Sequence, residues 1–91
     1  MDASSFTPGD IVRVWSTAGF VFAFRPLEYL VRNTRSTVTA SRKETIKAGT
    51  LALYIGPNPK ESKRLGQPMV DIVVGEKNYS IDRRFLDVVL V

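Results

Sequence analysis

Apolar residues in this chain recur at every second position, in short runs closed by glycine, proline or asparagine. That period restricts most of the chain to β-strands. In "DIVRVW" (10–15) Val12 and Val14 alternate with Arg13, and in "MVDIVVG" (69–75) Val70, Ile72 and Val74 alternate with Asp71. "TLALYIG" (50–56) sets Leu51, Leu53 and Ile55 on one side with Tyr54 out of phase, and "LDVVLV" (86–91) sets Leu86, Val88 and Leu90 together. Short β-branched runs between turn residues are strand signals. "PGD", "GPNP" and "GEKN" supply the turns. Gly75 and Asn78 flank a tight hairpin, which predicts pairing of 72–74 with 79–81.

Residues 16 to 48 are less regular. "GFVFAFRP" alternates Phe20, Phe22 and Phe24 with Val21, Ala23 and Arg25, and reads as a strand apolar on both faces. The three phenylalanines are expected mainly to pack. "RPLEYLVRN" fits a short helix, with Pro26 in its first turn and Leu27, Leu30 and Val31 on one face, or equally a continued strand. "STVTAS" reads as strand. "SRKE" (41–44) has capping-box spacing but only a turn's length before Gly49, and is read as a turn.

Ninety-one residues make one domain, of which residues 1–8 read as a flexible N-terminal tail. Many short strands with polar turns predict an all-β fold, a small five- or six-stranded, strongly bent barrel with an aromatic-rich insertion. The chain has no cysteine and no histidine, so disulfides, thiolate chemistry, the usual zinc sites and the commonest general base are absent. A small domain without such staples often gains burial by assembling with copies of itself, here through exposed edge strands. The polar start "MDASSFTPGD" does not read as a signal peptide, and no run approaches a membrane span, so a cytoplasmic location is expected.

Several stretches together resemble the Src-homology-3-type small barrel. "TPGDIVRVW" resembles its opening strand and "IKAGTLALYIG" its second strand. "YSIDRRFLDVV" resembles its closing element: a strand ending in Ile81, one tight helical turn through Asp82, Arg83 and Arg84, then Phe85 and Leu86 closing the barrel end. The Sm-like RNA-binding proteins share this barrel, and the chain resembles in particular a marine-phage (cyanophage) group of them. The resemblance implies a ring of identical subunits binding nucleic acid, in the host cytoplasm. It departs from the Sm pattern at Arg83-Arg84, where that family has Arg-Gly, and it lacks a counterpart of the family's base-contacting asparagine.

A formal charge of +4 permits a polyanionic partner. The candidate phosphate contacts are Arg42 and Lys43 in "RKETIK", Lys60, Lys63 and Arg64 in the probable loop "KESKR", and the pair Arg83 and Arg84. The more ordinary reading of each cluster is a solvated turn or loop. Trp15 and Tyr54, out of phase with their strands' apolar residues, are read first as packing in the core or at an interface and second as stacking a base. Asp71, Glu76, Asp82 and Asp87 are scattered, with no phosphate loop, nucleophile elbow or metal-ligand cluster, so the chain reads as a non-enzyme without cofactors. The leading expectation is a homo-oligomeric binder of RNA or single-stranded DNA. The alternative is a structural or adaptor module that docks protein, such as a phage assembly component.

Overall fold

The computed structural model describes residues 6–26 and 41–89. They form a mostly-β domain. The strands are β1 (Ile11–Val14), β2 (Phe20–Pro26), β3 (Ser41–Lys47), β4 (Leu51–Pro57), β5 (Met69–Val74), β6 (Lys77–Asp82) and β7 (Leu86–Val88). A short helix, α1 (Pro59–Leu65), and a 3-10 turn (Arg83–Phe85) complete it. All pairings are antiparallel, in the order β3-β2-β6-β5-β4-β1-β7.

Much of that sheet is one kinked ribbon. β1 pairs with β4, Arg13 lying opposite Leu51, and β2 pairs with β3, Phe20 lying opposite Lys47. Between the two halves Gly49 N–H donates to the Val14 carbonyl at 2.7 Å and Ala48 N–H to the Gly19 carbonyl at 2.9 Å, so pairing survives the kink. Gly19 and Gly49 take φ of 86° and 93° there, which a side-chain-bearing residue adopts only under strain. Past the kink the ribbon's far half meets β6 at Phe24 opposite Ser80, while its near half meets β5. Inward residues from all seven strands thus enclose a single core, with Val12, Val14, Ala23, Ile72 and Ile81 wholly buried. β3 and β7 end the strand order, and among the described residues they do not pair with each other.

Several sequence expectations change. The count is seven strands, not five or six, because the insertion contributes a hairpin of its own. "SRKE" is not a turn but the start of β3, and the chain reverses at Ala48-Gly49 instead. The short helix considered for "RPLEYLVRN" falls mostly outside the described residues. "KESKR" is not a loop: Asn58 caps α1 by accepting from Glu61 N–H at 3.1 Å, Pro59 sits in its first turn, and Gly66 closes it at φ 67°. The β5–β6 hairpin turns at Gly75-Glu76, so 72–74 pair with 77–79 rather than 79–81.

The phase of β4 is also reversed. Val12 faces the core, so its partner Ala52 does too, and Tyr54, opposite Ile72, follows in the same phase. Tyr54 is buried and packs on Phe6 at 5.3 Å, while Leu51, Leu53 and Ile55 face out. The closing element holds its expected shape: β6 ends at Asp82, one 3-10 turn follows, and Leu86 is buried at the start of β7. Phe85 does not plug the end; it is 38% exposed.

Candidate functional site

Three surface features are built by this frame. The first is the outer face of the β2–β3 hairpin. Directly opposed residues on antiparallel strands share a face, so Phe20, Phe22 and Phe24 stand beside Lys47, Thr45 and Lys43 respectively. The other face of the same hairpin turns Val21, Ala23 and Ile46 into the core. Phe20 is 43% exposed and Phe22 49%, their rings edge to face at 5.4 Å. Lys43 Nζ lies over the Phe22 ring at 4.2 Å, a cation–π contact. A groove of about 530 Å³ runs along these rings, walled by Phe24 and Phe85 and floored by Met69. Phe20 and Phe22 therefore lie outside the core of the single chain, which leaves packing at an interface as the form of the expectation still open to them. The sequence signal was the alternation itself, which marks a strand apolar on both faces but not which face is covered.

The second feature lies at the 3-10 turn, where the two adjacent arginines part company. Asp82 is buried and caps the turn, accepting from Arg84 N–H at 2.9 Å. Its carboxylate also takes Arg84 side-chain bonds from Nε at 3.0 Å and Nη2 at 2.6 Å. Burial pushes the Asp82 carboxyl up, but the hydrogen bonds from the Arg84 side chain and backbone, with the charges of Arg84 and Arg83, outweigh it and hold the group below the usual carboxylate range. Arg84 is thus committed to Asp82. Arg83 turns the other way, into a cleft of about 290 Å³ bordered by Phe6, Tyr54, Pro57, Ser62 and Pro68. Its backbone N–H donates to the Pro68 carbonyl at 2.8 Å, but no described residue accepts from its Nε, which is shut off from solvent. Burial raises the Tyr54 hydroxyl above its ordinary value, an effect opposed by the Arg83 charge and reinforced by Asp71.

A polar knot ties the start of α1 to the sheet. Asn58 Nδ2 donates to Asp71 Oδ1 at 3.0 Å and to Ser80 Oγ at 3.3 Å, and Ser80 Oγ donates to Asp71 Oδ1 at 2.8 Å. Met69 N–H donates to Ser62 Oγ at 2.8 Å, tying α1 to β5. The helix is thereby fixed against the sheet despite having only seven residues.

The third feature is the outer face of β1 and β4. Ile11 stands opposite Leu53 and Arg13 opposite Leu51. Exposure is 44% for Ile11, 56% for Trp15, 56% for Leu51, 37% for Leu53 and 46% for Ile55. Five large apolar side chains in one area exceed the scattered exposure ordinary for a soluble monomer. Trp15 points outward, as its phase implied; Tyr54 does not and is unavailable for stacking.

The other candidate cations are dispersed. Arg42, Lys60 and Lys63 are exposed. Arg64 is held by Glu61, with Nη2 to Oε2 at 2.6 Å. Among the candidates only Lys43 joins the aromatic row; Lys47, Phe20 and Phe22 complete it and lay outside the sequence-derived set. Among the described residues no cluster of three or more acidic residues is placed to hold a metal, and no helix is long and apolar enough to cross a membrane. No family model, curated protein or solved structure matches the chain.

Proposed function

We propose that this chain is a non-enzymatic module that binds single-stranded nucleic acid on the outer face of its β2–β3 hairpin. The observation that carries the reading is the register: a row of phenylalanines stands beside a row holding two lysines on one exposed face. Unpaired bases stack on exposed rings, and ammonium groups a strand-spacing away meet the phosphates between them. A duplex hides its base faces and gives such a platform only its phosphates, so the platform favours single strands.

The Sm-like and Src-homology-3-type reading of the fold belongs with this proposal. It is supported by the single 3-10 turn between β6 and β7 and by the one core that the kinked ribbon encloses. The platform, however, lies in the inserted hairpin rather than on the stretches that carry the resemblance. A second reading, protein docking or self-association, is favoured by the apolar outer face of β1 and β4. The two are compatible, since the faces are formed by different strands.

Fluorescence anisotropy with labelled single-stranded RNA, single-stranded DNA and duplex DNA at two salt concentrations tests the proposal. Both single strands are expected to bind more tightly than duplex. With Lys43 and Lys47 on phosphates, log K should fall with log salt at a slope of about −1.4, from about 0.7 per single-strand contact. Equal affinity for duplex, or a slope far steeper than two contacts allow, would point to nonspecific attraction by the overall charge.

A further inference from the structure

We infer that the Arg83 cleft is a binding site for a small oxyanion, a phosphate monoester or a carboxylate, carried on an apolar body. The inference does not rest on the nucleic-acid reading, since the cleft and the hairpin face are walled by different side chains apart from Met69. It begins with an imbalance between neighbours. Arg84 saturates the one acid at the turn, Asp82, with three side-chain bonds and a backbone bond. Arg83, one residue earlier, makes no side-chain hydrogen bond with any described residue, and its Nε–H has no access to water. A guanidinium keeps its charge at any ordinary pH and presents paired donors in a plane. Nε is closed off, but no described residue accepts from the Nη groups either, and these are the donors that an oxyanion entering the cleft lined by Arg83 would meet.

The walls define the rest of the ligand. Phe6, Tyr54, Pro57, Pro68 and Val70 offer apolar surface, and the about 290 Å³ of space admits a ring-sized group but not a folded chain. Ser62 is already engaged by the Asn58 carbonyl and the Met69 amide, so it does not compete for the guanidinium. The low-polarity wall strengthens the attraction between Arg83 and an oxyanion that enters. Selectivity for an anion joined to an apolar body, over the free anion, follows from the same wall.

The test is NMR titration of the intact chain with phenyl phosphate, benzoate and inorganic phosphate, reading the arginine Nε–H signals and the Tyr54 and Phe6 rings. Phenyl phosphate or benzoate is expected to give a saturable shift at Arg83 Nε–H and both rings, and the stronger of the two identifies the oxyanion class. Arg83→Met should weaken this by on the order of tenfold or more, the loss of a charge-assisted pair. Arg84→Met should leave the ligand's affinity unchanged. Unshifted Ile72 and Ile81 signals certify that each variant is folded. No saturable shift, or the same shift in Arg83→Met, overturns the site. Inorganic phosphate binding as tightly as phenyl phosphate overturns the role of the apolar wall.

Discussion

Replacing Phe20 and Phe22 together by alanine is expected to weaken single-strand binding at least about thirtyfold while leaving the fold intact. Base–aromatic stacking contributes about 1–3 kcal/mol per base, so two rings together contribute at least about 2 kcal/mol, and each 1.4 kcal/mol is tenfold in Kd. Both side chains stand on the exposed face of β2, 43% and 49% open to solvent, whereas the core face of that strand is carried by Val21 and Ala23. Their removal empties no cavity, and stability should stay within about 1 kcal/mol of the parent. Anisotropy for binding and thermal unfolding for stability separate the two effects. A variant that unfolds shows that the rings are structural, and one that binds unchanged removes them from the site.

The second large effect concerns the outer face of β1 and β4. Leu51→Lys combined with Leu53→Lys is expected to convert a self-associating chain into a monomer. The two leucines neighbour Ile11, Trp15 and Ile55 on the exposed face of β1 and β4, and Arg13 already stands opposite Leu51. Burying two leucines at an interface contributes about 3–6 kcal/mol, more than about a hundredfold in Kd, and two lysines beside Arg13 add repulsion. The sheet's inner face, with Ala52 and Tyr54, is untouched, so the variant folds. Light scattering after size exclusion reads the result. A parent chain that is monomeric across the accessible concentration range, or an oligomer indifferent to both lysines, would leave this face without a partner of its own kind.

How much of this was legible in the sequence follows from what each pattern can encode. Val12 and Val14 around Arg13, and Ile72 beside Asp71, alternate apolar with polar, and such strands announce both their existence and their inner face. "TLALYIG" and "GFVFAFRP" are apolar at nearly every position. For these the alternation identifies a strand but leaves the choice of face to tertiary pairing. In β4 that choice was made by Val12, whose partner Ala52 must share its side; in β2 it was made by Val21 opposite Ile46. The closing turn was readable because Asp82 is a capping residue just before a short run that only a 3-10 turn fits. Helix α1 was equally readable in principle, since "NPKESKRLG" carries an N-cap, a first-turn proline, a first-turn acid, last-turn bases and a C-terminal glycine. Its seven residues made it pass for a loop.

The candidate site was harder to see, for a related reason. Charge clusters are visible in sequence, and they directed attention to Arg83-Arg84 and "KESKR". The structure shows that adjacency along the chain is not adjacency in space. Arg84 and Arg64 are occupied by Asp82 and Glu61, and Arg83 faces a different cleft from its neighbour. The aromatic–lysine platform joins residues far apart along the chain, and only the β2–β3 register brings Lys43 and Lys47 beside the phenylalanines. Pairing register of that kind leaves little mark on side-chain identities.

The central claim is the location of single-strand binding, and NMR mapping of a bound oligonucleotide tests it most directly. The account predicts upfield shifts of the Phe20, Phe22 and Phe24 ring protons with intermolecular contacts from those rings to bases. It predicts smaller shifts at Lys43 and Lys47, and none at Ile11, Trp15 or Leu51. Perturbations confined to the β1–β4 face or to α1, with the β2 rings unmoved, would contradict it.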